Sequence, residues 1–154
     1  MRQRAQAIII RDRAMLFAYG IVSSNNELRH SFIGGGIEQG ETPEEAVLRE
    51  LREEAHIEGR IIFKFNREIV ENHHTFLIHI GNQSCRLGTD PEEEHLALEE
   101  RNLKDLIWIL FEDRHLFTSI DKEYIERLIE ECKEREYYPE WIDDIQEISL
   151  PFRP

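Results

Sequence analysis

Apolar and polar positions along this chain fall into short runs with two different periods. "AQAIII" (5–10) and "AMLFAYGIV" (14–22) are rich in β-branched and aromatic residues, and only "RDR" separates them, so the pattern predicts a hairpin. "SSNNE" (23–27) reads as a loop, and "HSFI" (30–33) as a short strand running into glycines. "RIIFKFNREIV" (60–70), "HTFLIHI" (74–80) and a buried "DLIWILF" (105–111) predict three more strands. Two segments switch to the helical period. Residues 42–55 predict a helix whose Ala46, Val47, Leu51 and Ala55 face a core. "SIDKEYIERLIEECKE" (119–134) puts Ile120, Tyr124, Ile125, Leu128 and Ile129 on one face. The acidic "LGTDPEEEHLALEERN" (87–102) reads as a long loop or a loop with one short helix, and the tail from Tyr137 as an irregular segment or a short helix. Strands around a central helix, with a second helix late, predict one α/β (α+β) domain over residues 1–154 with a mixed sheet between helices.

Charge narrows the partners. The 154 residues carry a formal net charge of −13, so nucleic-acid backbones and anionic membranes are poor partners. The same charge repels a phosphate substrate unless cations stand between them. Arg2, Arg4, Arg11 and Arg13 are the basic positions near the N-terminus, either a local patch or solvated surface. Cys85 and Cys132 are far apart and outside any CxxC, which argues against a disulfide framework or a zinc site and for a reducing, cytoplasmic setting. The apolar run after "MRQR" ends at Ile10, too short for a signal-peptide core, and no run approaches the ~18 residues of a membrane span.

"GGGIEQGETPEEAVLRELREEAHIEG" (34–59) holds the chemistry. Thr42, Pro43 and Glu45 form a helix start with a capping box. On the helix that follows, Glu50, Glu53 and Glu54 span about 100° of arc, so three carboxylates point to one side. Arg49 sits one turn from both Glu53 and Glu45 and can pair with either; Arg52 is the only other base near. A solvated charged face is one reading. The other is an oxygen-rich cluster that suits Mg²⁺ or Mn²⁺, with the upstream glycines as a loop exposing backbone carbonyls.

This stretch resembles the signature of the Nudix (MutT-like) hydrolases, G-x5-E-x7-R-E-U-x-E-E-x-G-U with U apolar. Gly35, Glu41, Arg49, Glu50, Leu51, Glu53, Glu54 and Ile57 match it, and His56 stands where the family has glycine. "WILFEDRHL" (108–116) and the early strands are also similar to the family. The resemblance implies an α/β/α sandwich with a central mixed sheet. It implies that Arg49, Glu50, Glu53 and Glu54 are catalytic, and that Glu50, Glu53 and Glu54, with a carbonyl of Gly34 or Gly35, hold Mg²⁺ or Mn²⁺. Arg49 would orient the carboxylates and Glu41 would brace the loop against the helix. It implies cleavage of a pyrophosphate link in a nucleoside diphosphate joined to another group, the metal offsetting phosphate charge and activating a water. The alternative is a weak or inactive Nudix-fold module that binds or senses nucleotides. A homodimer is left open.

Three points stay open in the sequence. His56 is either a ligand or base, or a strained or shifted helix end with Gly59 turning the chain slightly later. A further acid outside the signature has candidates in Glu92, Glu93, Glu94, Glu99 and Glu100, each equally readable as a solvated loop charge. His73, His74 and His79 lie in or beside one strand, with His79 on the face opposite His74; they either line a substrate pocket or sit exposed.

Overall fold

The computed structural model describes residues 2–21, 27–88, 95–97 and 102–149. Its elements are β1 (Arg4–Arg11), β2 (Ala14–Ile21), β3 (Leu28–Ser31), β4 (Ile33–Gly36), α1 (Pro43–Ala55), β5 (Arg60–Lys64), β6 (His73–His79), β7 (Leu103–Leu110), α2 (Ser119–Glu134) and α3 (Ile142–Ser149).

The predicted hairpin is present: Arg11 pairs with Ala14, and the two loop residues Asp12 and Arg13 have φ of 51° and 60°. Positive φ at both loop positions is what a type I′ turn requires. The hairpin then splays. β3 pairs with β2 and β4 pairs with β1, both antiparallel, so the chain on either side of Phe32 lies along both arms. β6 runs parallel to β1, with β5 beyond it, and β7 lies along β2. Among the described residues, one mixed sheet of seven strands results.

Alternation along β1 builds two cores. Ala5, Ala7 and Ile9 face α1 and pack with Ala46, Val47, Leu51 and Ala55. Ile8, with Phe17 and Leu77, faces α2 and α3 and packs with Tyr124, Ile125, Leu128 and Ile145. Helices therefore cover both faces, the α/β/α arrangement expected.

Several expectations change. Gly34–Gly36 are not a loop; they are the last three residues of β4, hydrogen-bonded in register with Gln6, Ala5 and Arg4. β5 stops at Lys64, although Phe65 N still donates to Thr75 O of β6 at 2.9 Å and its side chain stays buried. α2 has the predicted bounds, yet Ile120 in its first turn is 43% exposed. In its place the buried face carries charge. Glu131, fully buried, accepts from Arg127 Nε at 2.6 Å, Arg135 Nη1 at 2.7 Å and Asn66 N at 3.0 Å. Burial alone would raise the pKa of Glu131, but those donors outweigh it and hold the group below its ordinary value. The ambiguous tail contains α3. Both cysteines are free thiols, and burial pushes Cys132 up to about 11. Among the described residues no helix is long and apolar enough to cross a membrane.

Candidate functional site

The site grows from the start of α1. Thr42 is the N-cap: its hydroxyl accepts from Glu45 N at 3.1 Å, and Glu45 Oε1 accepts from Thr42 N at 3.0 Å. With Glu45 spent on the cap, Arg49 turns to the sheet. Its Nε donates to Glu41 Oε2 at 2.7 Å, and its Nη2 donates to Glu41 Oε1 at 2.9 Å and to Gly36 O at 3.1 Å. Its Nη1 donates to Glu50 Oε1 at 3.0 Å and Glu53 Oε2 at 3.1 Å. All five N–H donors of the guanidinium are thereby placed. The Glu41 hydrogen bonds foremost, against the opposing effect of burial, raise the pKa of Arg49 far above its ordinary value. Reciprocally, Arg49 holds Glu41 below 4.5, helped by Glu38 N, which donates to Glu41 Oε1 at 3.1 Å. Glu41 thus links the turn before α1 to the helix.

The three glycines make room on alternate faces. Gly35 points toward α1, where a Cβ would lie 2.6 Å from Glu50 Cδ. Gly36 points to the other face, where a Cβ would lie 2.5 Å from Arg2 Nη2, and one on Gly34 would lie 2.7 Å from Gln6 Cα. The run is therefore about space and not about backbone conformation; the glycine with positive φ in this region is Gly40, in the turn that follows.

A cavity of about 280 Å³ opens here, lined by Gly34, Gly35 and Gly36, by Glu38, Glu50, Glu53 and Glu54, and by Arg2, Arg4 and Arg49. All six residues singled out from the sequence line it. Glu50 is buried, and Glu53 and Glu54 are half-exposed. The donors are all oxygen, the set that suits Mg²⁺ or Mn²⁺, and the bare face of Gly35 lets the Glu50 carboxylate lie flush against the strand. Among the described residues, no three such groups converge into a ready coordination set.

Other candidates lie elsewhere. His56 is the C-cap of α1, with φ 55° and ψ 40°, exposed, its N–H turned back to Arg52 O at 3.2 Å. The turn is made at His56 itself, without a shift to Gly59. None of the three strand histidines lines the carboxylate cavity: His74 bonds to Gln3 at 2.6 Å, and His79 borders a larger cavity of about 900 Å³ at the far end of β1. That larger space is bordered by Arg13, Asp144 and Trp141 and lacks a comparable convergence of carboxylates. Glu92, Glu93, Glu94, Glu99 and Glu100 lie outside the described residues. What the sequence missed is the division of the four arginines. Arg2 and Arg4 line the carboxylate cavity, while Arg11 and Arg13 sit at the opposite end of the strand. Strand alternation would have paired Arg2 with Arg4, but not placed them beside the glycine strand β4.

Solved structures share this architecture. A NUDIX hydrolase from Nitrosomonas europaea superposes with a TM-score of 0.54 at 15% identity, covering 99% of this chain and 97% of that one. A UDP-X diphosphatase gives 0.56 at 18% identity, covering 87% and 64%. The E. coli ORF135 protein is 27% identical over 73% of this chain and 76% of its own, with a TM-score of 0.48. No curated protein matches the sequence significantly. The NUDIX domain profile matches residues 1–128. With that profile spanning most of the chain, and its fold repeated in solved relatives, this protein is a member of the Nudix hydrolase family.

Proposed function

We propose that the chain is a divalent-metal-dependent hydrolase that cleaves the pyrophosphate bond of a nucleoside diphosphate joined to a second group. Residues 1–154 act as one domain on a small-molecule substrate. The observation that carries this reading is the commitment of Arg49 to Glu41, Glu50, Glu53 and Gly36. An exposed ion pair contributes only about 0–1 kcal/mol, so a solvated helix face gains little from such an arrangement. A partly buried guanidinium that fixes two carboxylates against a side-chain-free strand is suited to presenting those carboxylates at fixed positions.

Glu50, Glu53 and Glu54, with a carbonyl of Gly34 or Gly35, would hold Mg²⁺ or Mn²⁺, which supplies screening of the diphosphate charge and activation of a water. The protein's own part is positional. Arg49 remains protonated at any working pH and keeps Glu50 and Glu53 in register, and Glu41 remains ionised and keeps Arg49 in place. His56 serves the helix terminus.

The test is a panel of nucleoside diphosphate derivatives incubated with Mg²⁺ or Mn²⁺, followed by phosphate or mononucleotide release. Turnover should vanish with chelator and return with metal, and ¹⁸O from labelled water should appear on a phosphate product. Glu53→Gln and Glu54→Gln should each lose orders of magnitude in kcat with the fold intact. Glu54→Gln should melt no lower than the parent because it relieves like-charge repulsion within one helical turn, whereas in Glu53→Gln that relief is offset by a weaker bond from Arg49 Nη1. Full activity in either variant overturns the residue assignment. Nucleotide binding without turnover under every metal condition favours the binding module instead.

A further inference from the structure

Arg2 and Arg4 line the carboxylate cavity, but neither forms an ion pair with a described carboxylate. Arg4 is half-buried, and its one described side-chain bond is a long contact from Nη2 to Phe32 O at 3.4 Å. Arg2 is exposed and its guanidinium occupies the space over Gly36 that any side chain there would fill. In a chain of charge −13, two guanidiniums that border four glutamates without pairing to them are placed for a different anion. The geometry divides the cavity into two walls. Gly35 presents its bare face to Glu50 on α1, while Gly36 presents its bare face to Arg2 on the opposite side. The glycine strand is thus a window with carboxylates on one side and arginines on the other.

We propose that Arg2 and Arg4 are a diphosphate-binding pair: their guanidiniums hold the phosphate oxygens that face away from the α1 carboxylates, fixing the substrate across the glycine window. The assignment rests on the hydrolase reading for its substrate class. It adds the residues by which an acidic protein admits an anionic substrate. Guanidinium suits the task because its planar fork meets two phosphate oxygens at once, which the point charge of a lysine does not. The absence of a carboxylate partner leaves those donors available, and the lack of a Gly36 side chain leaves Arg2 room to approach.

Calorimetric titration of inorganic pyrophosphate, with Mg²⁺ and separately in chelator, tests this on the full chain. In Mg²⁺, Arg2→Ala and Arg4→Ala should each weaken pyrophosphate binding by about tenfold or more, the scale of one charge-assisted hydrogen bond. Arg4→Lys should lose less than Arg4→Ala. Mn²⁺ affinity without pyrophosphate should be level or tighter in both alanine variants, because each removes a positive charge beside the carboxylates. A purely structural role predicts the reverse pattern: a lower melting temperature with unchanged pyrophosphate affinity. Arg2 precedes β1 and is exposed, so Arg2→Ala keeps the test valid if Arg4→Ala fails to fold. Pyrophosphate affinity within about twofold of the parent in Arg2→Ala and in Arg4→Lys or Arg4→Ala overturns the proposal, as does a parent chain that binds no pyrophosphate in either condition. A parent that binds pyrophosphate through these arginines yet hydrolyses no nucleotide refutes the hydrolase reading and leaves the anion pair standing.

Discussion

Gly35→Ala adds one methyl group and no charge at the centre of the site. Gly35 has no positive φ, so backbone strain plays no part and the effect is steric. A Cβ there would lie 2.6 Å from Glu50 Cδ. Carbon atoms settle at about 3.5–4.0 Å, so the carboxyl group must retreat by about 0.9 Å. It is not free to do so, because Glu50 is buried and its Oε1 accepts from Arg49 at 3.0 Å. Giving up that charge-assisted bond costs about 1.5–3 kcal/mol. The added methyl restricts the unfolded chain and returns about 0.4–1 kcal/mol. The net loss of about 0.5–2.6 kcal/mol lowers the melting temperature by roughly 1–10 °C in a chain of this size. Activity should fall further, since a displacement near 1 Å at a reacting centre costs about 10²-fold. Steady-state kinetics beside a melting curve read both effects. Glu50→Asp placed in the Gly35→Ala background shortens the crowded side chain and should recover part of the lost stability. Turnover by Gly35→Ala at the parent rate would refute the reasoning, because the contact between Glu50 and the strand would then constrain nothing.

Two further outcomes concern Glu41 and His56. Arg49 holds Glu41 below its unfolded value of 4.5, so the stability Glu41 contributes is present in full above that value and is lost as pH falls through its folded pKa. Melting temperature against pH should therefore fall less steeply below about pH 5 in Glu41→Gln than in the parent, and superimposable acid limbs would contradict this. His56→Gly puts glycine at a left-handed helix terminus; melting temperature should hold or rise, by at most ~1 kcal/mol in stability, with kcat unchanged. A loss of about 10²-fold would instead identify His56 as an acid–base group.

The sequence carried some parts of this fold more legibly than others, for physical reasons. Capping chemistry and periodicity are local, and they placed α1 within one residue and α2 at its bounds. Periodicity does not say which of several charged residues is covered by the sheet. Ile120 lies in the first turn of α2 and stays exposed, while Arg127 and Glu131 are buried as a pair, with Asn66 N and Arg135 completing the partners of Glu131. Three glycines in a row carry no strand propensity, so they read as a loop; their pairing with β1 is a tertiary fact. The carboxylate side of the site was legible because its residues lie within a few helical turns. The arginine side was not, since it depends on the pairing of the start of β1 with β4.

That difference in legibility has an evolutionary counterpart. Every acceptor of Arg49 lies close to it in the chain, from Gly36 thirteen residues upstream to Glu53 four residues downstream. Closing such short loops costs little chain entropy, so the polar contacts of Arg49 within the cassette of residues 34–54 are local, although β1 supports both the strand and the helix that carry them. Arg2 and Arg4 belong to a separate stretch and meet the cassette across the pairing of β1 with β4. A lineage can therefore exchange the residues that open β1, and with them the group the cavity accepts, while the carboxylate cassette passes on unaltered.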